Sequence, residues 1–158
     1  MVGPDYPKGI VGPDVRYYSG YNMFPVITKP PYATLTAYNL NTGTITWQIP
    51  AGGDDARAVA EGARETGFIR QRSGIISTSS GLLFHAGGDA KVRAYDASSG
   101  KLLWTGALPA GSTGLSSMYE VGGRQFLVVN ATNATTSATG ATSGGPRGYV
   151  AFALSRSN

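Results

Sequence analysis

An internal repeat limits what this chain can fold into more than any other feature of its sequence. Residues 37–47 read AYNLNTGTITW and residues 94–104 read AYDASSGKLLW, so both follow the pattern A-Y-[ND]-x-x-[TS]-G-x-x-x-W with an offset of 57 residues. A third copy begins at Ala151, which lies 57 residues after Ala94, and continues only to Leu154 before the pattern stops. Units of about 40 to 60 residues that contain several short strands are typical of β-propeller blades, so the repeat predicts an all-β, propeller-type fold.

Each complete copy has the chemistry of two strands joined by a tight turn. Asn39 and Asp96 stand at the start of the turn, where an Asx side chain can bond to the backbone two residues further on. Gly43 and Gly100 supply the positive φ that other residues adopt only with strain. The tryptophan that ends each copy recurs at one place in the unit, which predicts a large apolar side chain packed between neighbouring sheets.

Short apolar runs between Gly-rich turns divide the chain into three predicted units. Residues 74–105 contain four predicted strands and make one complete blade, residues 1–53 make a partial blade, and residues 116–158 make a last blade that lacks one strand. Closed propellers often complete the last blade with a strand from the N-terminus, which removes the exposed sheet edge. No such strand is evident here. We therefore expect a fragment with two to three blades of a larger propeller, or the product of a gene truncated at its 5′ end, which would aggregate, oligomerise or unfold when made alone.

Composition and charge argue against several other classes of protein. The 13 Lys and Arg residues exceed the 9 Asp and Glu residues by only four and form no basic run, so we expect no nucleic-acid partner. The absence of cysteine excludes disulfides and Cys-based zinc sites. The N-terminus lacks the pattern of a signal peptide, and no apolar stretch is long enough to span a membrane.

The segment 52–72 stands apart because it carries most of the clustered charge. Residues 56–65 predict a short helix that is capped by Asp54 or Asp55. The two adjacent carboxylates lack the alternating oxygen ligands of a calcium-binding loop, so a helix cap is favoured over a metal site. We expect the whole segment to be a solvated excursion between blades.

His85 is the one histidine of the chain and lies within a predicted strand. Because no cysteine or second histidine is available, a metal site is disfavoured, and a packed, hydrogen-bonded histidine is expected instead. No metal-binding residue is assigned in this chain.

The repeat and its surroundings resemble the quinoprotein dehydrogenases, which are eight-bladed propellers that hold pyrroloquinoline quinone (PQQ) and calcium on the central axis. Their recurring blade pattern is A-x-D-x-x-T-G-x-x-x-W, from which this chain departs at Asn39 in the first copy and at Ser99 in the second. Four further stretches look like the glucose dehydrogenase-like branch of that family: KPPYATLTA at 29–37, LPAG at 108–111, YEVGGRQF at 119–126 and GYVAFAL at 148–154.

The resemblance implies hydride transfer from a sugar or alcohol carbon to PQQ. In such a reaction a carboxylate accepts the hydroxyl proton and calcium polarises the quinone. The resemblance places the catalytic aspartate and the calcium ligands on blades that precede residue 1, so no catalytic residue is assigned here. It also implies a periplasmic parent protein that passes its electrons to a quinone or a cytochrome.

One residue of this chain is a candidate for cofactor contact through the resemblance. In related alcohol dehydrogenases a tryptophan just before a G-V-[LI]-x-T strand lies flat beneath the PQQ ring. Aligning that strand with GIIST at 74–78 puts Arg72 at or beside the tryptophan position. An arginine there would face an anionic quinone and its carboxylates. The alternative for Arg72 is an ion pair at the surface or between blades.

A second interpretation is a non-enzymatic binding module or assembly scaffold, since propellers with this type of repeat also serve such roles and fold does not fix function. The motifs of the glucose dehydrogenase-like branch favour the enzyme, because a scaffold has no reason to keep them. A decayed remnant without a function of its own is a third possibility. Further repeats and a calcium-binding aspartate upstream would favour the enzyme.

Overall fold

The computed structural model describes residues 8–9, 29–68, 73–132, 135–136, 142–143 and 147–154. Within these residues the elements in chain order are β1 (Thr34–Asn39), β2 (Thr44–Pro50), α1 (Ala56–Ala60), β3 (Ile75–Ser77), β4 (Leu82–Ala86), β5 (Lys91–Asp96), β6 (Leu102–Ala107), β7 (Ser117–Val121), β8 (Arg124–Ala131), β9 (Thr135–Thr136), β10 (Thr142–Ser143) and β11 (Gly148–Ala153). The predicted all-β class is confirmed. The one helix is too short to cross a membrane, and no other helix occurs in the described ranges.

The strands pair antiparallel in four open sheets. The first sheet contains β1 and β2, and the second contains β3, β4, β5 and β6 in the order of the chain. In the third sheet β8 lies between β7 and β11, and β9 and β10 form a separate short ribbon. Sheets built from consecutive strands have short connections, as is usual when neighbours in sequence pair with each other.

The two complete copies of the repeat have the same backbone irregularities. In both sheets the pairing register shifts directly after the alanine of the motif, Ala37 in β1 and Ala94 in β5. The turn glycines also match, since Gly43 has a φ of 70° and Gly100 a φ of 71°. These are left-handed conformations that only glycine adopts without strain. The recurring letters of the sequence therefore encode one bulge and one turn, used twice.

The Asx side chain at the start of each turn bonds to the backbone as predicted. Asn39 Oδ1 accepts a hydrogen bond from the Asn41 backbone N–H at 3.0 Å, and Asp96 Oδ1 accepts one from the Ser98 N–H at 3.0 Å. Hydrogen bonds from Ser98 and then Ser99 lower the pKa of the Asp96 carboxyl below its ordinary value. The turn thus favours the ionised carboxylate.

Each repeat tryptophan packs against the sheet that follows it. The Trp47 Nε1–H donates to the Ala97 carbonyl oxygen at 3.1 Å, and the indole ring covers Gly100 closely enough that a Cβ there would lie 2.8 Å from Trp47 Cε3. Trp104 instead meets Phe152 edge to face, with ring centroids 5.5 Å apart, and is 42% exposed. The first and second sheets are therefore joined by the more complete contact.

The second sheet is packed on both faces. On one face it shares a core with the first sheet, formed by Leu35, Ala51 and Tyr95 with Leu83 beside them. On the other face it shares a core with the third sheet, formed by Ala86, Val92, Leu108, Ala110, Leu127, Val129 and Ala131. Residues two apart in a strand share a face, so His85 and Arg93 lie on the face of Leu83 and Tyr95, toward the first sheet.

The predicted helix of the charged segment is shorter than expected. It ends at Ala60 rather than Glu65, because Gly62 has a φ of 89° and Glu65 a φ of 54°, and both conformations lie outside a right-handed helix. Asp55 provides the cap, with its Oδ1 accepting a hydrogen bond from the Ala58 N–H at 3.3 Å.

Most charged residues in the described part of this segment, residues 52–68, are exposed, as expected for a solvated excursion, but the segment is also anchored by buried contacts. Thr66 is fully buried, and its N–H donates to Asp54 Oδ1 at 2.7 Å. The segment returns to the first sheet through two backbone bonds, from Tyr32 N–H to the Thr66 carbonyl at 2.6 Å and from Phe68 N–H to the Ala51 carbonyl at 2.7 Å. We call residues 51–68 the returning segment.

Candidate functional site

The residue that the resemblance nominated for cofactor contact, Arg72, lies outside the described residues. Its neighbour Ser73 is described and lies two residues before β3, which is an edge strand of the second sheet. Ser73, His85, Asp89 and Arg93 lie together at this end of the sheet, and we call these four residues the polar cluster.

A buried ion pair forms one half of the polar cluster. Arg93 Nη1 donates to Asp89 Oδ1 at 3.1 Å and Arg93 Nη2 donates to Asp89 Oδ2 at 2.5 Å, which is a bidentate arrangement. The two side chains are only 10% and 16% exposed. Burial by itself lowers the pKa of Arg93, but the hydrogen bond and charge of Asp89 outweigh it and raise that pKa above its ordinary value. Arg93 is therefore held in its charged form, and two of its guanidinium nitrogens are paired with Asp89.

His85 forms the other half, and its tautomer follows from its partners. Ser73 Oγ donates its hydroxyl hydrogen to the Ala86 carbonyl oxygen. Since that hydrogen is used, we assign the imidazole Nε2–H as the donor in the 3.1 Å contact between His85 Nε2 and Ser73 Oγ. His85 Nδ1 is then an unprotonated acceptor, and it is buried without a partner among the described residues.

The imidazole of His85 is held in its neutral form. Burial, and next the charge of Arg93, lower the pKa of His85 from 6.5 to about 4, although Asp89 acts in the opposite direction. The side chain is 2% exposed. Because it is neutral near pH 7 and shielded from solvent, His85 is suited to positioning Ser73 rather than to exchanging protons with bulk water.

Two glycines make room for the ion pair. A Cβ at Gly53, in the returning segment, would lie 2.5 Å from Asp89 Oδ2 and 2.9 Å from Arg93 Nη2. A Cβ at Gly87 would overlap Asp89 Oδ1. The backbone of the first unit therefore touches the polar cluster at a point where any other residue would collide with it.

The equivalent position between the second and third sheets is apolar. Arg93 pairs across the strands with His85, and 57 residues after Arg93 stands Val150, which pairs in the same way with Val129. Val129 is fully buried. Sequence reasoning treated His85 as a packed residue and did not single out Arg93. The signal that could have found the cluster was the repeat itself, which has Thr36, Arg93 and Val150 in one equivalent position.

A cavity lies on the opposite face of the second sheet. It has a volume of about 830 Å³ and is bounded mainly by apolar side chains of the second and third sheets, among them Phe84, Trp104, Met118, Phe126 and Phe152. Glu120 and Gln125 lie at its wall. The cavity and the polar cluster are therefore on different faces of one sheet and do not form a single site.

The described residues do not fit a complete metal site. Among them no group of three or more His, Cys, Asp or Glu side chains is placed to hold an ion. Both carboxylate oxygens of Asp89, the acidic member of the polar cluster, are already taken by Arg93. What the cluster offers chemically is a neutral imidazole that holds the Ser73 hydroxyl in place, together with a satisfied ion pair.

Comparison with known proteins supports the interpretation of the repeat. The family model described as "PQQ: Glucose/ethanol/alcohol dehydrogenase, beta-propeller domain" matches residues 13–127. A probable quinate dehydrogenase (quinone) of Xanthomonas campestris pv. juglandis is 35% identical over an alignment of 123 residues that covers 68% of this chain and 14% of that protein. The quinoprotein glucose dehydrogenase of Escherichia coli K12 is 32% identical over an alignment of 107 residues that covers 65% of this chain and 13% of that protein.

Among solved structures, a quinohemoprotein alcohol dehydrogenase of Pseudomonas putida HK5 has a TM-score of 0.48 and 23% identity, covering 62% of this chain and 12% of that one. The chain thus spans about one seventh of the length of the first relative it matches. The family model covers well over half of the chain. The resemblance drawn from the repeat is confirmed, and the chain belongs to the family of the β-propeller domain of PQQ-dependent glucose, ethanol and alcohol dehydrogenases.

Proposed function

We propose that this chain is part of a PQQ-dependent oxidoreductase that oxidises a sugar or an alcohol, with PQQ as the hydride acceptor and calcium as the accompanying ion. The single observation that carries the proposal is the family match over residues 13–127. The relatives named for quinate and glucose support a hydroxylated carbon skeleton as substrate. When bound, PQQ supplies the electron-accepting quinone for such an oxidation.

The chain's own contribution in this proposal is structural. We assign residues 1–53 to a partial blade, residues 74–105 to a complete blade and residues 116–158 to a last blade without its fourth strand. We place the catalytic carboxylate and the calcium ligands outside the described residues, which hold no group of side chains able to bind a metal. The chain alone is therefore expected to be inactive.

Arg72 is our proposed contact with the cofactor. It directly precedes Ser73, whose hydroxyl is held by His85 and by the Ala86 carbonyl. A guanidinium forms strong, bidentate hydrogen bonds with carboxylates, which PQQ carries. The polar cluster would then fix the chain next to Arg72 without touching the cofactor itself.

We further propose that the parent protein is periplasmic and passes its electrons to a quinone or a cytochrome. The relative from Xanthomonas has a quinone in its name, which supports the first of these acceptors. A membrane-spanning helix is not found in the described part of this chain.

The proposal is tested by PQQ binding and turnover in the protein produced from its complete reading frame. PQQ and Ca²⁺ are added to the purified protein, and binding is followed by quenching of tryptophan fluorescence, with reduction of an artificial acceptor as the readout of sugar and alcohol oxidation. Arg72→Ala should weaken PQQ binding about ten-fold or more, whereas Arg64→Ala, which removes an exposed arginine of the returning segment, should not. No PQQ binding by the unaltered protein would refute the function, and equal binding by Arg72→Ala would refute the contact.

A further inference from the structure

Sheets that are built from the same repeat must each pack against the correct neighbouring sheet. The two complete copies of the repeat carry the same motif with the same spacing, so their sheets share part of their packing surface. The face of the third sheet that packs on the second is wholly apolar at its centre, where Val129 pairs with Val150. An apolar surface of this kind discriminates weakly between partners, because hydrophobic burial is non-directional.

The opposite face of the second sheet is different. There the equivalent pair is His85 and Arg93, with Asp89 completing the charge balance. A buried ion pair is often no more stabilising than well-packed apolar residues of the same volume, so stability alone does not account for its presence here. The ion pair disfavours packing against other surfaces, because a side chain placed against it would break its buried hydrogen bonds.

The returning segment carries the matching surface. Gly52 and Gly53 follow β2 with φ values of 78° and 84°, and Gly53 lies against Asp89 and Arg93 with no space for a Cβ. Phe68, near the end of the returning segment, lies against Gly88 in the same turn as Asp89, where a Cβ would be 2.5 Å from Phe68 Cε1. The fit therefore requires a backbone without side chains opposite the ion pair and an aromatic ring beside it.

We propose that the polar cluster is a docking determinant that restricts this face of the second sheet to a partner with a Gly-Gly turn, and that the returning segment, which follows β2, is that partner. The cluster prevents other apolar sheet faces, including those of a second copy of the chain, from packing at this position. The connection between the second and third sheets holds a partly buried hydrogen bond from Ser112 Oγ to Asn130 Oδ1, but no ion pair is found there among the described residues.

A variant with the apolar chemistry of the third unit tests this assignment. His85→Val, Asp89→Ala and Arg93→Val are combined, which removes the charges and the imidazole together. An equimolar mixture of isotopically heavy and light chains is unfolded and refolded, and zero-length crosslinks between residues 51–68 and residues 87–91 are analysed by mass spectrometry. Crosslinks that join a heavy peptide to a light one count the interfaces formed between different copies.

In the unaltered chain we expect crosslinks within one copy to predominate, and in the triple variant we expect heavy-light crosslinks to rise about five-fold or more without a lower urea midpoint. If the fraction of heavy-light crosslinks is the same in the unaltered chain and in the triple variant, the proposal is overturned. This holds even if both proteins aggregate. If heavy-light crosslinks rise in the triple variant but its urea midpoint also falls, the proposal is overturned as well, because the cluster would then only stabilise the fold.

A double-mutant cycle tests the contact with Gly53 separately. Gly53→Ala introduces strain at a φ of 84° in any background, but only in the unaltered chain does its Cβ also collide with Asp89. We expect this substitution to lower the ratio of folded to unfolded protein about ten-fold more in the unaltered chain than in the triple variant. Equal effects in the two backgrounds would mean that Gly53 does not recognise the ion pair.

Discussion

Trp47 donates its indole hydrogen to the carbonyl oxygen of Ala97, 50 positions further along the chain, and thereby joins two sheets that share no backbone pairing. The same ring covers Gly100, the turn glycine of the next copy of the repeat. The tryptophan of one unit and the turn of the following unit are therefore one structural element. Within the described residues this relationship is seen once, between the first and the second copy of the repeat.

Replacing Trp47 should loosen the first sheet from the second. Trp47→Phe keeps an aromatic ring but removes the hydrogen bond to Ala97 and part of the contact with Gly100. We expect a loss of about 1 to 3 kcal/mol in the free energy of unfolding, from the hydrogen bond and the lost packing together. Urea denaturation followed by far-UV circular dichroism measures it. Trp104→Phe, at a side chain that is 42% exposed, is the control and should cost clearly less.

The two turn glycines provide a matched pair of substitutions. Gly43 and Gly100 have φ values of 70° and 71°, but a Cβ meets nothing within 4 Å at Gly43 and meets Trp47 at 2.8 Å at Gly100. Gly43→Ala should therefore cost only the strain of a left-handed residue, about 1 kcal/mol. Gly100→Ala should cost the same strain and a further loss of indole packing. Equal changes in the urea midpoint would show that the ring does not depend on this glycine.

Local features of the repeat could be predicted because their chemistry is complete within a few residues. The Asx side chain at position 39 or 96 and the glycine four residues later specify a turn wherever they occur together. The strands were also predictable within a few residues, for example β11, expected at 148–154 and observed at Gly148–Ala153. These elements need no information about what packs against them.

The polar cluster could not be predicted in the same way. That Arg93 faces inward depends on the register of β5, and that its charge is tolerated there depends on Gly53, which lies 40 positions earlier in sequence. The end of α1 was missed for a related reason, since Thr66 bonds to Tyr32 and draws the chain away from a helical path. These features depend on contacts between segments that are distant in sequence, and such contacts cannot be predicted from a single sequence.

Breaking the ion pair from one side should be more damaging than removing it. Asp89→Ala leaves the guanidinium of Arg93, an 8% exposed residue, without its bidentate partner. We expect a loss of about 3 to 5 kcal/mol in the free energy of unfolding, because a buried charge is left uncompensated. Adding Arg93→Val in the same chain should recover most of that loss. Urea denaturation of the single and double variants measures both effects, and a double variant as unstable as the single one would contradict the explanation.

His85 should make the stability of the chain depend on pH in a defined window. Its pKa is about 4 in the folded protein and 6.5 when exposed, so between these values the unfolded chain binds a proton that the folded chain does not. Stability should therefore be greatest above pH 6.5, decrease as the pH falls toward 4, and change no further through this group below that. Over the full window the loss is about 3 kcal/mol. Because the chain has a single histidine, His85→Gln removes this contribution entirely. Urea midpoints are measured from pH 7.5 to 4 for both proteins. In the variant the pH dependence between 6.5 and 4 should be reduced to the part that carboxyl groups produce. If the variant kept the full slope, another group would have to be the source of the pH dependence.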